Sequence, residues 1–230
     1  MKNIFLDKVI IASALLAIML IHTGVTVKGQ ETHKAPVTRQ KFDNIDVWVK
    51  TFEYPERDKW QKPDEVVKSL NLKPGDVIAD IGAGTGYFVR HFAKAVSPGG
   101  KALGLDIEPS MVQYMKEDAH KLELNSYQAL LIKPDNPGLE PGSVDVVFLC
   151  NTYHHIENRV DYFKRLSKSL KKNGRVVIVD FYEKPLPVGP QSVGHKLSKE
   201  VVLEEFRGAG YNLKHDKDFL PYQYYLEFGL

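Results

Sequence analysis

Asp80-Ile81-Gly82-Ala83-Gly84-Thr85-Gly86, entered from the apolar stretch Val77-Ile78-Ala79, reads as a strand that ends in a glycine turn and passes into a helix beginning at Tyr87. Glycine at 82, 84 and 86 lets the backbone turn sharply, meet a ligand with no Cβ in the way and pack the next helix closely. The spacing is G-x-G-x-G. A dinucleotide fingerprint, G-x-G-x-x-G, would place its third glycine at position 87, where this chain has Tyr87.

The acid at the head of the loop sharpens the distinction. A carboxylate at Asp80 repels a pyrophosphate and attracts an ammonium group. Twenty residues past Gly86 the second apolar stretch, Ala102-Leu103-Gly104-Leu105, ends in Asp106, where a carboxylate can accept both hydroxyls of a ribose. With an acid followed by G-x-G-x-G at 80–86, the chain resembles the class I S-adenosylmethionine-dependent methyltransferases. The resemblance implies S-adenosyl-L-methionine as cofactor, held by Asp80, Gly82, Ala83, Gly84, Gly86, Asp106 and Ile107. It also implies an acid near the adenine amino group, for which Asp135 is the match, and a contact from Asn151.

Beyond Asp106 the pattern predicts helix 110–122, strand 127–132, strand 144–150, helix 159–170, strand 175–180 and helix 198–209. Two β-rich runs, 211–219 and 223–228, close the chain. Three prolines and two glycines between Lys133 and Ser143 leave the crossover there as loop. This order matches the family's α/β architecture, a Rossmann-like, doubly wound, seven-stranded sheet, mostly parallel with an antiparallel last strand.

The predicted organisation is a signal peptide or membrane anchor over 1–29, a linker over 30–42, a helical cap over 43–70 and the methyltransferase domain over 71–230. Lys2 and Lys8 precede an apolar run at 9–21 that is short for a spanning helix and suits an export signal. Export or membrane association through 9–27 is the expectation, with an anchor whose domain faces the cytoplasm as the alternative. In the cap, Ile45, Val47, Trp48 and Phe52 give an apolar face. Residues 54–63 are expected to break the helix before it resumes at 64–70, and the cluster Arg57-Asp58-x-Trp60-Gln61 looks like part of a bacterial subgroup's pattern.

Charge points to no nucleic-acid partner. Without residues 1–29, Lys+Arg falls from 31 to 28 and Asp+Glu from 29 to 28, which balance. Cys150 is the sole cysteine, so no internal disulfide forms and thiol-dependent arsenite methylation is disfavoured. No metal is expected, because adjacent histidines diverge and no third ligand stands at a recognised spacing.

The acceptor pocket is expected beside the ends of strands four and five, where the chain reads Cys150-Asn151-Thr152-Tyr153-His154-His155. Tyr153, His154 and His155 are the candidate catalytic residues, with one histidine as general base. Tyr182 and His195, on the proline-bearing connection after strand five, are secondary candidates. Family similarity points to a small-molecule, lipid-like or quinone-like acceptor. A nicotinamide-dependent oxidoreductase and an exported, non-catalytic scaffold are the competing readings.

Overall fold

The computed structural model describes residues 44–191 and 195–230. The expected signal or anchor and the linker lie outside the described residues. Among the described residues no helix is long and apolar enough to cross a membrane.

Seven strands form one sheet in the order β3-β2-β1-β4-β5-β7-β6. They are β1 (Val77–Ile81), β2 (Lys101–Asp106), β3 (Tyr127–Leu131), β4 (Val144–Cys150), β5 (Leu170–Phe181), β6 (Asn212–Lys217) and β7 (Gln223–Gly229). Pairing is parallel from β3 through β5, and β7 runs antiparallel to both of its neighbours. The strand order reverses between β1 and β4, so their carboxyl ends diverge into the crevice where such sheets take ligands. Because β7 is reversed, its first residue, Gln223, pairs with Phe181 and reaches that same edge.

Helices cover both faces. Helix α3 (Pro63–Leu70), α4 (Tyr87–Ala95) and α5 (Pro109–Lys121) pack on one side, with Val66, Leu70 and Met115 buried around an aromatic centre of Phe88, Phe92 and Phe148. On the other side α6 (Arg159–Leu166) and α7 (Lys199–Gly208) bury Phe163 and Phe206, the latter stacked on Phe228 at 3.9 Å. The central strands β1 and β4 are buried along nearly their whole length, as the near-continuous apolar runs of a doubly covered sheet require.

Two boundaries depart from expectation. Helix α6 stops at Leu166, a single 3-10 turn covers Ser167–Ser169, and β5 begins already at Leu170. The extra residues form an irregularity between the pairs Val144↔Leu170 and Val146↔Arg175, where Asn173 adopts φ +73°. In the cap, α1 (Ile45–Phe52) is followed not by a plain break but by a five-residue helix, α2 (Arg57–Gln61). Lys62, at φ +47°, then turns the chain and Pro63 takes the first position of α3, which a missing N–H suits.

Candidate functional site

The glycine loop is shaped by its neighbours. Gly82 and Ala83 both donate backbone N–H groups to Leu105 O, at 2.8 and 3.1 Å, which ties the loop to the end of β2. A Cβ on Gly82 would lie 2.3 Å from Thr152 Cγ2, so the segment after β4 packs directly on the loop. Position 84 faces the cap: Phe52 stands 3.5 Å from where a Cβ would be.

Asp106, almost wholly buried, accepts from Gly84 N at 2.8 Å with one oxygen and from Glu108 N at 3.0 Å with the other. The Ile107 N–H also donates to it, so three backbone groups fix the carboxylate and the acceptor position that remains can take a ribose hydroxyl. Asp80 is buried too, and among the described residues nothing donates to its carboxylate. Burial, and then the neighbouring charge of Asp106, push it up to about 8, while Arg57 pulls the other way. A buried carboxylate without a donor fits a cationic ligand group, and the loop and both acids together fit an amino-acid-bearing nucleoside.

The Asp80 shift fixes a sign. Between the ordinary carboxylate range and about 8, the folded chain holds a proton on Asp80 that the unfolded chain releases. Stability therefore declines as pH rises through that window. In ligand-free protein, the Tm of Asp80→Asn is expected to gain on wild type from pH 5 to pH 8; parallel curves would remove the assignment.

The cap is held onto this site by side chains. Arg57 lies over the Tyr87 ring at 3.8 Å, and the Tyr87 hydroxyl donates to Asp58 at 2.5 Å. The residue that replaces a third glycine is thus the cap's anchor. Arg57 also donates to Gln61 Oε1, Gln61 donates to Gln223, and Gln223 donates to Asn151 Oδ1 at 2.7 Å. Asn151 sits at φ +57° at the end of β4, turned by this bond and by its N–H to Val179 O at 2.9 Å. Arg90 clamps the other side, to Glu53 at 2.8 Å and Asp118 at 3.1 Å.

At the ends of β4 and β5 the structure gathers three imidazoles, one of them on a buried acid. His154 Nδ1 lies 3.0 Å from Oδ2 of the fully buried Asp180, whose other oxygen accepts from Phe181 N at 2.8 Å. The His154 ring is 4.1 Å from that of His155 and 5.8 Å from that of His195. Desolvation, with the two neighbouring imidazoles, pushes His155 down to about 4, so it is neutral at neutral pH.

Other expected site residues lie elsewhere. Tyr153 turns into the core between Phe163 and Phe206 and donates its hydroxyl to Glu205 at 2.7 Å, so it does not join the histidines. The 3-10 turn at Tyr153–His155 sends the first side chain into the core and leaves the two histidine rings together, against the expectation that adjacent histidines diverge. Asp135 is exposed in the turn after β3, where its carbonyl accepts from Arg165 at 3.1 Å, and no contact joins it to the glycine loop. Ile107 is half-buried just past Asp106. Tyr182 packs edge-on to Tyr224 at 5.9 Å. Among the described residues no group of His, Cys, Asp or Glu is arranged to hold a metal ion.

Residues 72–217 match the family described as "Methyltransferase domain". The chain belongs to the S-adenosylmethionine-dependent methyltransferase family. Among curated relatives it is 30% identical over 132 residues to phosphoethanolamine N-methyltransferase 3 of Arabidopsis thaliana, covering 55% of this chain and 25% of that one. It is 23% identical over 153 residues to a demethylmenaquinone methyltransferase of Bacillus cereus, covering 66% of this chain and 64% of that one. A solved S-adenosylmethionine-dependent methyltransferase from Aquifex aeolicus superposes with a TM-score of 0.75 at 23% identity, over 80% of this chain and 97% of that one, and shares the fold.

Gln223 was not among the expected site residues, and Asp180 entered only as the first residue of the connection 180–190 expected to line the site, with no role of its own. Asp180 had a signal: it ends an apolar strand as Asp106 does. Gln223 had none, since only the reversed direction of β7 brings it to the cleft.

Proposed function

We propose that this methyltransferase moves a methyl group from S-adenosylmethionine to a small, apolar, quinone-like acceptor whose reacting group gives up a proton, with His154 as the base. The observation that carries this reading is His154 Nδ1 on the buried Asp180 at 3.0 Å. That bond sets the tautomer: Nδ1–H donates to Asp180, and Nε2 keeps the lone pair that takes a proton. When bound, the cofactor supplies an electrophilic methyl on a sulfonium. Asp80 meets its ammonium, Asp106 its ribose, and the glycine loop lies against it. Holding nucleophile and methyl in line supplies much of the rate, and the base serves protonated acceptors.

An apolar acceptor is supported by the hydrophobic cluster of Trp60, Leu186 and Phe181, the residue after Asp180, and by likeness to an enzyme named for demethylmenaquinone. The apolar run at 9–21 supports export or tethering at a membrane, which fractionation would test.

Calorimetric titration of the full chain with S-adenosylhomocysteine and, separately, NAD tests the cofactor step. Binding of the first alone is expected, and Asp106→Ala should weaken it by about 1.5–3 kcal/mol. Binding of neither would leave a scaffold that keeps the fold without its ligand.

A further inference from the structure

An amino-acid ligand carries an ammonium and a carboxylate on one carbon. A site that meets the first with Asp80, close to Asp106, repels the second unless a cation stands beside them. Arg57 is the positive charge whose influence reaches both Asp80 and Cys150, the ends of β1 and β4. It comes from the cap, not the sheet, and is held in place from several directions.

We infer that Arg57 is a binding residue that grips the carboxylate of the cofactor's methionine portion, so that the cap and the sheet read the two charges of one zwitterion. This rests on the reading that the chain binds S-adenosylmethionine. The guanidinium has five N–H donors. Nε and one N–H of Nη2 go to Gln61 Oε1, both at 3.3 Å, and one N–H of Nη1 goes to Phe52 O at 2.5 Å. One N–H on each terminal nitrogen is left to donate to a carboxylate. The plane is fixed by the Tyr87 ring beneath it at 3.8 Å, and Tyr87 is the first residue of the helix that follows the glycine loop. Phe52, whose carbonyl holds Nη1, lays its own ring over Gly84. Side chains that only pinned the cap would have no need of the charge that Asp80 feels; Asp58 and the Gln61-to-Gln223 bond already do that.

The test pairs two ligands with three proteins. S-adenosylhomocysteine and its decarboxylated analogue, which keeps the ammonium, are titrated into wild type, Arg57→Met and Arg57→Lys. Wild type should prefer the intact ligand. Arg57→Met should lose roughly 10- to 100-fold in affinity for it and match wild type toward the analogue. Arg57→Lys keeps the charge without the guanidinium and should fall between, again for the intact ligand only, and it carries the comparison if Arg57→Met does not fold. Equal losses for both ligands, or none for either, would overturn the assignment and leave Arg57 as a cap fastener. If wild type binds neither ligand, the cofactor reading itself falls and takes this one with it.

Discussion

Replacing His154 with alanine is expected to slow methyl transfer by about two to four orders of magnitude, the range for loss of a positioned general base, with S-adenosylhomocysteine affinity essentially unchanged. The split follows from location. His154 belongs to the turn after β4 and rests on Asp180, whereas the residues proposed to hold the cofactor lie on the glycine loop and β2. Asp180→Asn separates the base from its support: the amide fills the same space but offers Nδ1 either an acceptor or a donor, so the tautomer is no longer fixed and turnover should fall by an intermediate factor. Tyr153→Phe, which removes a hydroxyl bonded to Glu205 in the core, should cost stability and leave turnover alone. Single-turnover rates with excess enzyme make the comparison. Wild-type rates in both His154→Ala and His155→Ala would remove the base.

Gly86→Ala should destabilise the fold by about 2–5 kcal/mol, combining a left-handed backbone with a collision. Gly86 has φ +80°, and a Cβ there would lie 1.8 Å from the Tyr127 hydroxyl. That hydroxyl is buried and makes no hydrogen bond among the described residues, so it has no partner to move toward. Tyr127→Phe in the Gly86→Ala background should recover part of the loss, since the ring carbon behind the hydroxyl still lies 3.0 Å from that Cβ and the backbone conformation is unchanged. Urea denaturation of the two single variants and the double variant gives the coupling directly. Strict additivity would mean that the backbone carries the whole cost.

The order of strands and helices was legible because each element has a strong period or a glycine end, and the loop at 80–86 fixed where the sheet starts. Asp80 and Asp106 were legible for the same reason: each sits at the end of an apolar run next to a turn. What stayed hidden depends on distance along the chain. Tyr153, His154 and His155 are adjacent in sequence, and nothing in their composition says that a 3-10 turn sends the first into the core and the second to Asp180. The break at 54–63 hid a helix because two prolines bracket it, and the pattern gave its residues no partner until Tyr87 and Gln223 stood beside them.

The bond from Gln61 to Gln223 joins residues 162 positions apart. A ribosome delivers the cap long before Gln223, and β6 leaves the ribosome before β7, the strand it must pair with. Until Gln223 emerges the growing chain therefore carries a cap held by Tyr87 and Arg90 but not yet tied to β7, and once β6 is made it has two open strand edges, on β5 and β6, that only β7 can close. Chains stalled short of Gln223 should accordingly be the ones that chaperones and proteases find.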